Sequence, residues 1–325
     1  VDRCHYMGQS WGMRRFWRWL PRWVRRLLKA ILALVVCVLL LVAFLYFYAH
    51  PSITRIDGVV YGTRGGEDLT IDVLTPKRPN GLGVAVMVSG GWKSGGAGSL
   101  DTWLVAPLLR GGYTVFAVCH ISQPQATVMD AITDVNRGIR FIRHHAADYG
   151  IDPDRIGVTG GSAGGHLSLM LATRGGPGSM GDADPIDRES SAVQAVAIFF
   201  PVTDLLNLGT STENPGDGGP PVSFVKGFGP DALDMPKWKV IGRESSPIYH
   251  IHLNMPPILI HHGDKDTLTP LEQSTWFQER AKEQGVDVTV KVQHGGEHGW
   301  LSMSWDIWQF ARWFDAHLKP PHSTD

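Results

Sequence analysis

Hydrophobic and polar residues occur in blocks along the chain, and the block lengths predict two kinds of structure. An apolar run at 30–49 contains no charged residue, and about twenty such residues suffice for a helix to cross a hydrocarbon core. After Pro51, short apolar runs alternate with stretches that suit helices. This alternation predicts a mostly parallel sheet with helices on both faces, preceded by one transmembrane helix.

The short runs read as strands because they are apolar, β-branched or aromatic and are bounded by glycine or polar residues. Between two of them, apolar residues recur at steps of four, three, four and three from Val128 to Ile142, which places them on one helical face. A second run that suits a helix lies at 166–173. The predicted strands are 84–88, 113–118, 154–159, 195–200, 257–261 and 286–292.

Two stretches of the body interrupt the alternation. Residues 174–191 and 205–248 are rich in Gly, Pro and Ser and show no clean periodicity. We expect cap-like insertions over the carboxyl edge of the sheet, where open α/β sheets bind ligands. The predicted organisation is a basic, aromatic segment at 1–29, a membrane anchor at 30–49 and a catalytic body at 51–325.

Charge is distributed unevenly between these parts. Residues 1–50 carry eight Lys/Arg and one acidic residue, whereas 51–325 carry 22 basic and 30 acidic residues. By the positive-inside rule, the basic segment stays in the cytoplasm and the body lies outside, which is periplasmic or extracellular in a bacterium. The acidic body lacks the clustered Lys/Arg that nucleic acids require, so no nucleic-acid partner is expected.

The N-terminal region allows two other interpretations. A cleaved signal peptide is disfavoured, because the apolar run is longer than a typical signal core and residues 46–50 contain no small-x-small cleavage pattern. A surface-lying amphipathic helix at 13–29 stays open, and it also attaches the protein to a membrane. Only Cys119 of the three cysteines belongs to the body, which excludes a disulfide within it.

The clearest chemical motif is Gly-Gly-Ser-Ala-Gly at 160–164, which matches G-x-S-x-G between a predicted strand and a predicted helix. A sharp turn at this point strains the serine backbone, so the residues two before and two after it must lack side chains. Ser162 is therefore the predicted nucleophile. The backbone N–H of Ala163, at the start of the helix, is a predicted donor to the developing oxyanion.

An acid and then a histidine should follow the serine, each after a later strand. Asp266 follows the predicted strand at 257–261 and is the predicted acid, while His298 follows the last strand and is the predicted base. The acid holds the imidazole in the tautomer that accepts the serine proton. Lower-ranked alternatives are Asp264 and Asp204 for the acid and His294 for the base.

A second oxyanion donor is expected from the loop after the strand at 84–88, which reads Ser-Gly-Gly-Trp. Gly90 and Gly91 are the predicted donors, and Trp92 is a predicted wall of the substrate site. A phosphate-binding loop is excluded here, because Trp92 stands where that motif requires glycine.

With these residues in view, the body resembles the esterase branch of the α/β hydrolases. It is near hormone-sensitive-lipase-like and feruloyl or acetylxylan esterase-like proteins and the prolyl oligopeptidase catalytic domain. The resemblance implies the α/β-hydrolase fold and ester hydrolysis through an acyl-enzyme without a cofactor, and no residue spacing suggests a metal site. It rests on LTIDV (69–73), SGGW (89–92), TGGSAGGHL (159–167), HGDKD (262–266) and EHGW (297–300).

The chain departs from these families in one respect. They usually carry His-Gly-Gly-Gly-Trp where this chain has Val-Ser-Gly-Gly-Trp at 88–92. The missing histidine normally braces the oxyanion loop, although the donors are backbone groups and both key glycines remain.

The predicted function is a serine esterase for small or medium acyl esters, with a small-molecule ester as substrate and a membrane as partner through the N-terminal helix. An amidase or peptidase with the same triad stays open, although oligopeptidases of this type generally carry an N-terminal propeller for which this chain has no room. A catalytically silent hydrolase fold that acts as a scaffold is the alternative of a different class.

Overall fold

The computed structural model describes residues 20–319. The chain divides into two compact units, with the boundary along the chain between His50 and Pro51. The first unit contains helix α1 (Arg22–Ala49), which has no buried residue. By length and composition this helix is apolar enough to cross a membrane. It begins earlier than the predicted span at 30–49, and most of the predicted basic segment at 1–29 lies outside the described residues.

The second unit is built on one sheet of eight strands. These are β1 (Ile53–Arg64), β2 (Glu67–Pro76), β3 (Gly83–Met87), β4 (Thr114–Val118), β5 (Ile156–Gly161), β6 (Ala195–Phe199), β7 (Ile258–Gly263) and β8 (Val288–Gln293). Their order is β1-β2-β4-β3-β5-β6-β7-β8. Only the β1–β2 and β2–β4 pairs of this sheet are antiparallel. The predicted mostly parallel sheet is confirmed.

Helices pack on both faces of the sheet. Alternate residues of a strand point to opposite faces, and in β3 the side chains of Ala85 and Met87 belong to one apolar cluster and those of Val84 and Val86 to another. The helices of this unit are α2 (Ala106–Arg110), α3 (Val128–His144), α4 (Ala163–Arg174), α5 (Pro185–Arg188), α6 (Met235–Glu244), α7 (Glu272–Glu283) and α8 (Met303–Leu318).

Helix α3 shows how local sequence and packing agree. The Thr127 hydroxyl accepts a hydrogen bond from the Asp130 N–H at 3.1 Å, and the Asp130 carboxylate accepts one from the Thr127 N–H at 2.9 Å. This capping box satisfies two backbone donors at the helix start. The apolar residues from Val128 to Ile142 are buried against the sheet, as their spacing predicted.

Several elements have no counterpart among the predicted ones, namely β1, β2, α2, α5, α6, α7 and α8. Strand β1 and helix α6 show the physical reason. Gly58 of β1 has a φ of 72°, and the β1–β2 register shifts on either side of the Val59 and Val60 pairs, which breaks the two-residue alternation. In α6 the buried residues are Trp238 and Gly242. One buried position per turn is too few to form a readable apolar stripe.

The two predicted insertions differ in where they lie. Residues 205–248 include α6 and supply several walls of the cavity described below. Residues 174–191 pack instead beside α3, where Arg137 forms an ion pair with Asp184 at 2.6 Å and Arg143 donates to the Ser190 carbonyl. This first stretch therefore covers a helix and does not line the cavity.

Candidate active site

Three parallel strands end at the same edge of the sheet, and the predicted nucleophile, acid and base follow them. Ser162 follows β5, Asp266 follows β7 and His298 follows β8. Atom Nε2 of His298 lies 3.0 Å from Ser162 Oγ, and Nδ1 of His298 lies 2.7 Å from Asp266 Oδ2. The structure thus brings the three residues into one hydrogen-bonded chain.

The turn that holds Ser162 has the strain that its motif predicts. Its φ of 55° is in the left-handed region, which few non-glycine residues adopt, and its N–H donates to the Phe199 carbonyl at 3.1 Å. A Cβ on Gly160 would lie 2.6 Å from the backbone of Gly164, and a Cβ on Gly164 would overlap the Met87 carbonyl oxygen. Glycine is therefore required on both sides of the serine.

Asp266 is buried and is held in place by hydrogen bonds to both carboxylate oxygens. Its Oδ1 accepts from the Leu268 and Thr269 N–H groups at 3.0 and 2.9 Å, while Oδ2 faces His298. Burial opposes ionisation of this carboxyl, but the neighbouring His262 side chain and the hydrogen bonds from His298 and the Thr269 N–H outweigh it and lower its pKa to about 2. Asp266 is thus a fixed anion beside the imidazole.

The lower-ranked alternatives for acid and base lie elsewhere. The Asp264 carboxylate accepts a hydrogen bond from the Gly295 N–H at 2.7 Å and bonds His294 Nδ1 at 2.9 Å. Asp264 and His294 therefore stabilise the loop after β8. The His294 side chain is 88% exposed. Asp204 accepts from the Tyr249 hydroxyl at 3.0 Å, and burial raises the pKa of this carboxyl.

The loop after β3 forms a tight turn in which Gly91 and Trp92 have φ values of 55° and 56°. The N–H of Gly90 donates to the Lys93 carbonyl at 2.9 Å, and the Lys93 N–H donates back at 3.0 Å. Gly90 was predicted as an oxyanion donor, and this turn corrects that expectation because its N–H is already used. In a trans peptide the C=O and the N–H point in opposite directions, so Gly91 directs its N–H away from Lys93.

A cavity of about 60 Å³ lies at this edge of the sheet. Gly91, Trp92, Ser162 and Ala163 line it together, which puts the nucleophile and the remaining predicted oxyanion donors on one surface. Position 91 also requires glycine, because an added Cβ would lie 2.8 Å from the Phe224 ring. Other lining residues are Val202, Leu205, Leu208, Ser211, Glu213, Pro221, Phe224, Leu268 and Thr269.

Trp92, predicted as a wall of the site, lines this cavity and is held from behind by His166. The Trp92 Nε1–H donates to His166 Nδ1 at 3.1 Å, and His166 Nε2–H donates to the Ser245 carbonyl at 2.6 Å. Burial lowers the pKa of His166 to about 4. His166 is therefore neutral, and it supports Trp92 without reaching the nucleophile as a base.

Sequence reasoning missed two side chains that contact the triad. The Phe200 ring centroid lies 4.5 Å from that of His298, whereas the pattern indicated only the end of a strand at 195–200. His262 donates Nε2–H to the Thr269 carbonyl at 2.6 Å and lies 3.5 Å from Asp266 Oδ2. The sequence signal for His262 was its position at the end of a buried strand, next to the acid loop.

The described part of the chain, residues 20–319, contains no group of three or more His, Cys, Asp or Glu side chains placed to hold a metal ion. Ser162 lines the cavity, and its hydroxyl leads through the His298 imidazole to the Asp266 carboxylate, while the backbones of Gly91 and Ala163 lie on the same surface. This set suits acyl transfer to a serine oxygen.

The sequence of this chain matches a protein-family model and several curated esterases. The family model BD-FAE matches residues 71–281. Esterase LipQ of Mycobacterium tuberculosis is 30% identical over 233 residues, which are 70% of this chain and 53% of LipQ. The chain spans about half the length of the curated relatives it matches.

Solved structures match over most of both chains. A truncated carbohydrate esterase from gut microbiota superposes with a TM-score of 0.63 at 26% identity, covering 81% of this chain and 96% of the other. Esterase 2 of Thermogutta terrifontis, phosphorylated by paraoxon, superposes with a TM-score of 0.61 at 23% identity and covers 83% and 97%. The body therefore has the same fold as these esterases.

Proposed function

The chain belongs to the BD-FAE family of hormone-sensitive-lipase-like α/β hydrolases, and we propose that it hydrolyses carboxylic esters through a serine acyl-enzyme. The observation that carries the proposal is the hydrogen-bonded chain from Ser162, which lines a cavity, through His298 to Asp266. A serine hydroxyl is a weak nucleophile until a base takes its proton, and this chain supplies both the base and the group that orients it.

In the proposed reaction, the Ser162 oxygen attacks the ester carbonyl carbon while His298 Nε2 accepts the hydroxyl proton. The N–H groups of Gly91 and Ala163 stabilise the oxyanion of the tetrahedral intermediate. His298 then donates the proton to the departing alcohol oxygen, the ester C–O bond breaks, and the acyl group stays on Ser162. Water repeats the attack with the same base and releases the carboxylic acid.

Asp266 contributes charge and orientation to each proton transfer. Because hydrogen bonds hold its pKa at about 2, it stays ionised over the working pH range and stabilises the imidazolium that forms on His298. The Phe200 ring packs against the His298 imidazole, with 4.5 Å between the ring centroids. The proposed reaction requires no cofactor.

The size of the cavity supports esters with a short acyl group as the preferred substrates. The cavity is small, at about 60 Å³, which supports a short acyl group such as acetyl or butyryl. Leu205, Leu208 and Phe224 make its wall largely apolar, which suits an alkyl chain. LipQ and both solved relatives are named as esterases, which supports esters over amides.

We also propose that α1 spans a membrane with its N-terminal end in the cytoplasm and the body outside. Its apolar length supports the span, and Arg22, Arg25, Arg26 and Lys29 near its start support the orientation through the positive-inside rule. Alkaline phosphatase fused to the C-terminus should be active in intact bacterial cells. Phosphatase activity that appears only after lysis would contradict this orientation.

The test of the proposed activity is turnover of p-nitrophenyl esters by the full chain in detergent, compared with Ser162→Ala. We expect hydrolysis of the acetate and butyrate that falls to the background rate in the variant. The corresponding p-nitroanilides should be turned over far more slowly. A folded wild-type protein without ester turnover would favour a scaffold, and faster anilide turnover would favour an amidase.

A further inference from the structure

The oxyanion loop carries Val88 where related esterases carry a bracing histidine, yet a histidine reaches the loop from the neighbouring strand. His120 follows β4, and its Nε2 lies 2.8 Å from Ser89 Oγ. The Ser89 carbonyl in turn accepts the Gly164 N–H at 3.1 Å. Ser89 therefore joins the loop to His120 on one side and to the nucleophile turn on the other.

The geometry at His120 assigns the direction of this hydrogen bond. Its Nδ1 lies 2.9 Å from the Ile121 carbonyl oxygen, which can only accept, so Nδ1 carries the proton. His120 is 5% exposed, and burial lowers the pKa of its imidazole, which favours the neutral ring. The unprotonated Nε2 then accepts from the Ser89 hydroxyl.

Gln123, three residues further along, holds the other end of the same loop. Its backbone N–H donates to the Trp92 carbonyl at 3.0 Å, and its side-chain amide donates to the Gly91 carbonyl at 3.3 Å. These contacts fix the peptide planes on both sides of Trp92. They matter because Gly91 and Trp92 both have left-handed φ values, which a loop keeps only when its surroundings hold it there.

We propose that His120 and Ser89 are positioning residues that hold the oxyanion loop in its working geometry, with the Ser89–His120 hydrogen bond in place of the missing histidine brace. The inference rests on the proposed function, since it concerns the same site. Neither residue touches the reacting atoms. They act by fixing where the Gly91 N–H points before the oxyanion forms.

The expected effect is on the rate of the chemical step. An oxyanion exists only in the tetrahedral intermediate and its transition states, so a misplaced donor lowers kcat and leaves KM nearly unchanged. Loss of one net hydrogen bond corresponds to about a three- to tenfold change in rate.

The test uses the full chain with p-nitrophenyl acetate and compares Ser89→Ala, His120→Leu and the double variant. Each single variant should lower kcat about three- to tenfold at a KM within twofold of wild type. The double variant should lose no more than the worse single variant, because both remove the same bond. His120→Gln, whose amide oxygen reaches the position of Nε2, should recover most of the lost kcat.

Thr173→Val is the matched control. It removes a buried side-chain hydrogen bond of 2.8 Å to the Leu169 carbonyl in α4, far from the loop, and should leave kcat unchanged. Equal losses in Thr173→Val and Ser89→Ala, additive losses in the double variant, or full activity in Ser89→Ala would each overturn the inference. A wild-type protein without ester turnover would instead overturn the proposed function and remove the basis of the inference.

Discussion

Replacement of Asp266 by Asn is expected to inactivate the enzyme by reversing the tautomer of His298. Oδ1 of Asp266 accepts two backbone N–H groups, from Leu268 and Thr269. An amide nitrogen cannot accept them, so the Asn side chain must keep its oxygen there and turn its NH₂ towards His298 Nδ1. Atom Nδ1 of His298 must then accept a hydrogen bond, so the imidazole proton moves to Nε2. With Nε2 protonated, His298 can no longer take the proton of Ser162.

The expected size of the effect is about a 10⁴-fold fall in kcat, the value typical when the acid of such a triad becomes an amide. The assay is p-nitrophenyl acetate hydrolysis by the purified full chain, with the melting temperature as a control for folding. Asp264→Asn is the matched variant, because this neighbouring carboxylate bonds His294 and Gly295 instead, and it should keep kcat within about twofold. A fall of less than tenfold in Asp266→Asn would refute the tautomer argument.

Three further predictions concern packing, pH and the cavity. Gly164→Ala should lower the melting temperature by about 5–10 °C through overlap with the Met87 carbonyl, whereas Gly181→Ala, with open space around it, should not change it. The folded pKa of Asp266, about 2 against an ordinary 3.8, contributes about 2 kcal/mol of stability above pH 4. This contribution is lost as pH falls from about 4 through 2. Over this pH range, the free energy of unfolding measured with urea should therefore change less for Asp266→Asn than for wild type. Leu208→Ala should raise the octanoate-to-butyrate ratio of kcat/KM about tenfold by enlarging the cavity, and an unchanged ratio would place the acyl chain elsewhere.

Six strands of the sheet, β3 to β8, and the nucleophile turn could be predicted because their requirements are local. β3, β5 and β6 are short, almost fully buried apolar runs, and such runs stand out in a sequence. The spacing of Gly160, Ser162 and Gly164 reflects backbone contacts inside one turn, so it is visible without the rest of the fold.

The contacts around the acid and the oxyanion loop could not be predicted, because they join residues far apart in the sequence. His120 and Ser89 are 31 residues apart, and no pattern in either segment indicates the other. The same holds for Phe200 on His298. Gly90 was assigned as a donor from the motif alone, whereas its availability depends on the turn with Lys93.

The stretch at 205–248 was the least readable part of the body for a physical reason. It forms short turns, 3-10 helices and one α-helix, α6, whose buried Gly242 packs against Leu206 of the same stretch. Irregular segments of this kind carry little periodicity, because side chains and turns fix them one contact at a time. The walls of the cavity, and hence the expected acyl length, therefore required the structure.

The central claim, that Ser162 is an activated nucleophile, is tested most directly by covalent labelling. The full chain is treated with paraoxon, digested and analysed by mass spectrometry beside Ser162→Ala. The account predicts one diethylphosphoryl group on Ser162, formed in step with loss of ester hydrolysis and absent from the variant. A folded wild-type chain that stays unlabelled at Ser162, or a label that forms equally in Ser162→Ala, would contradict it.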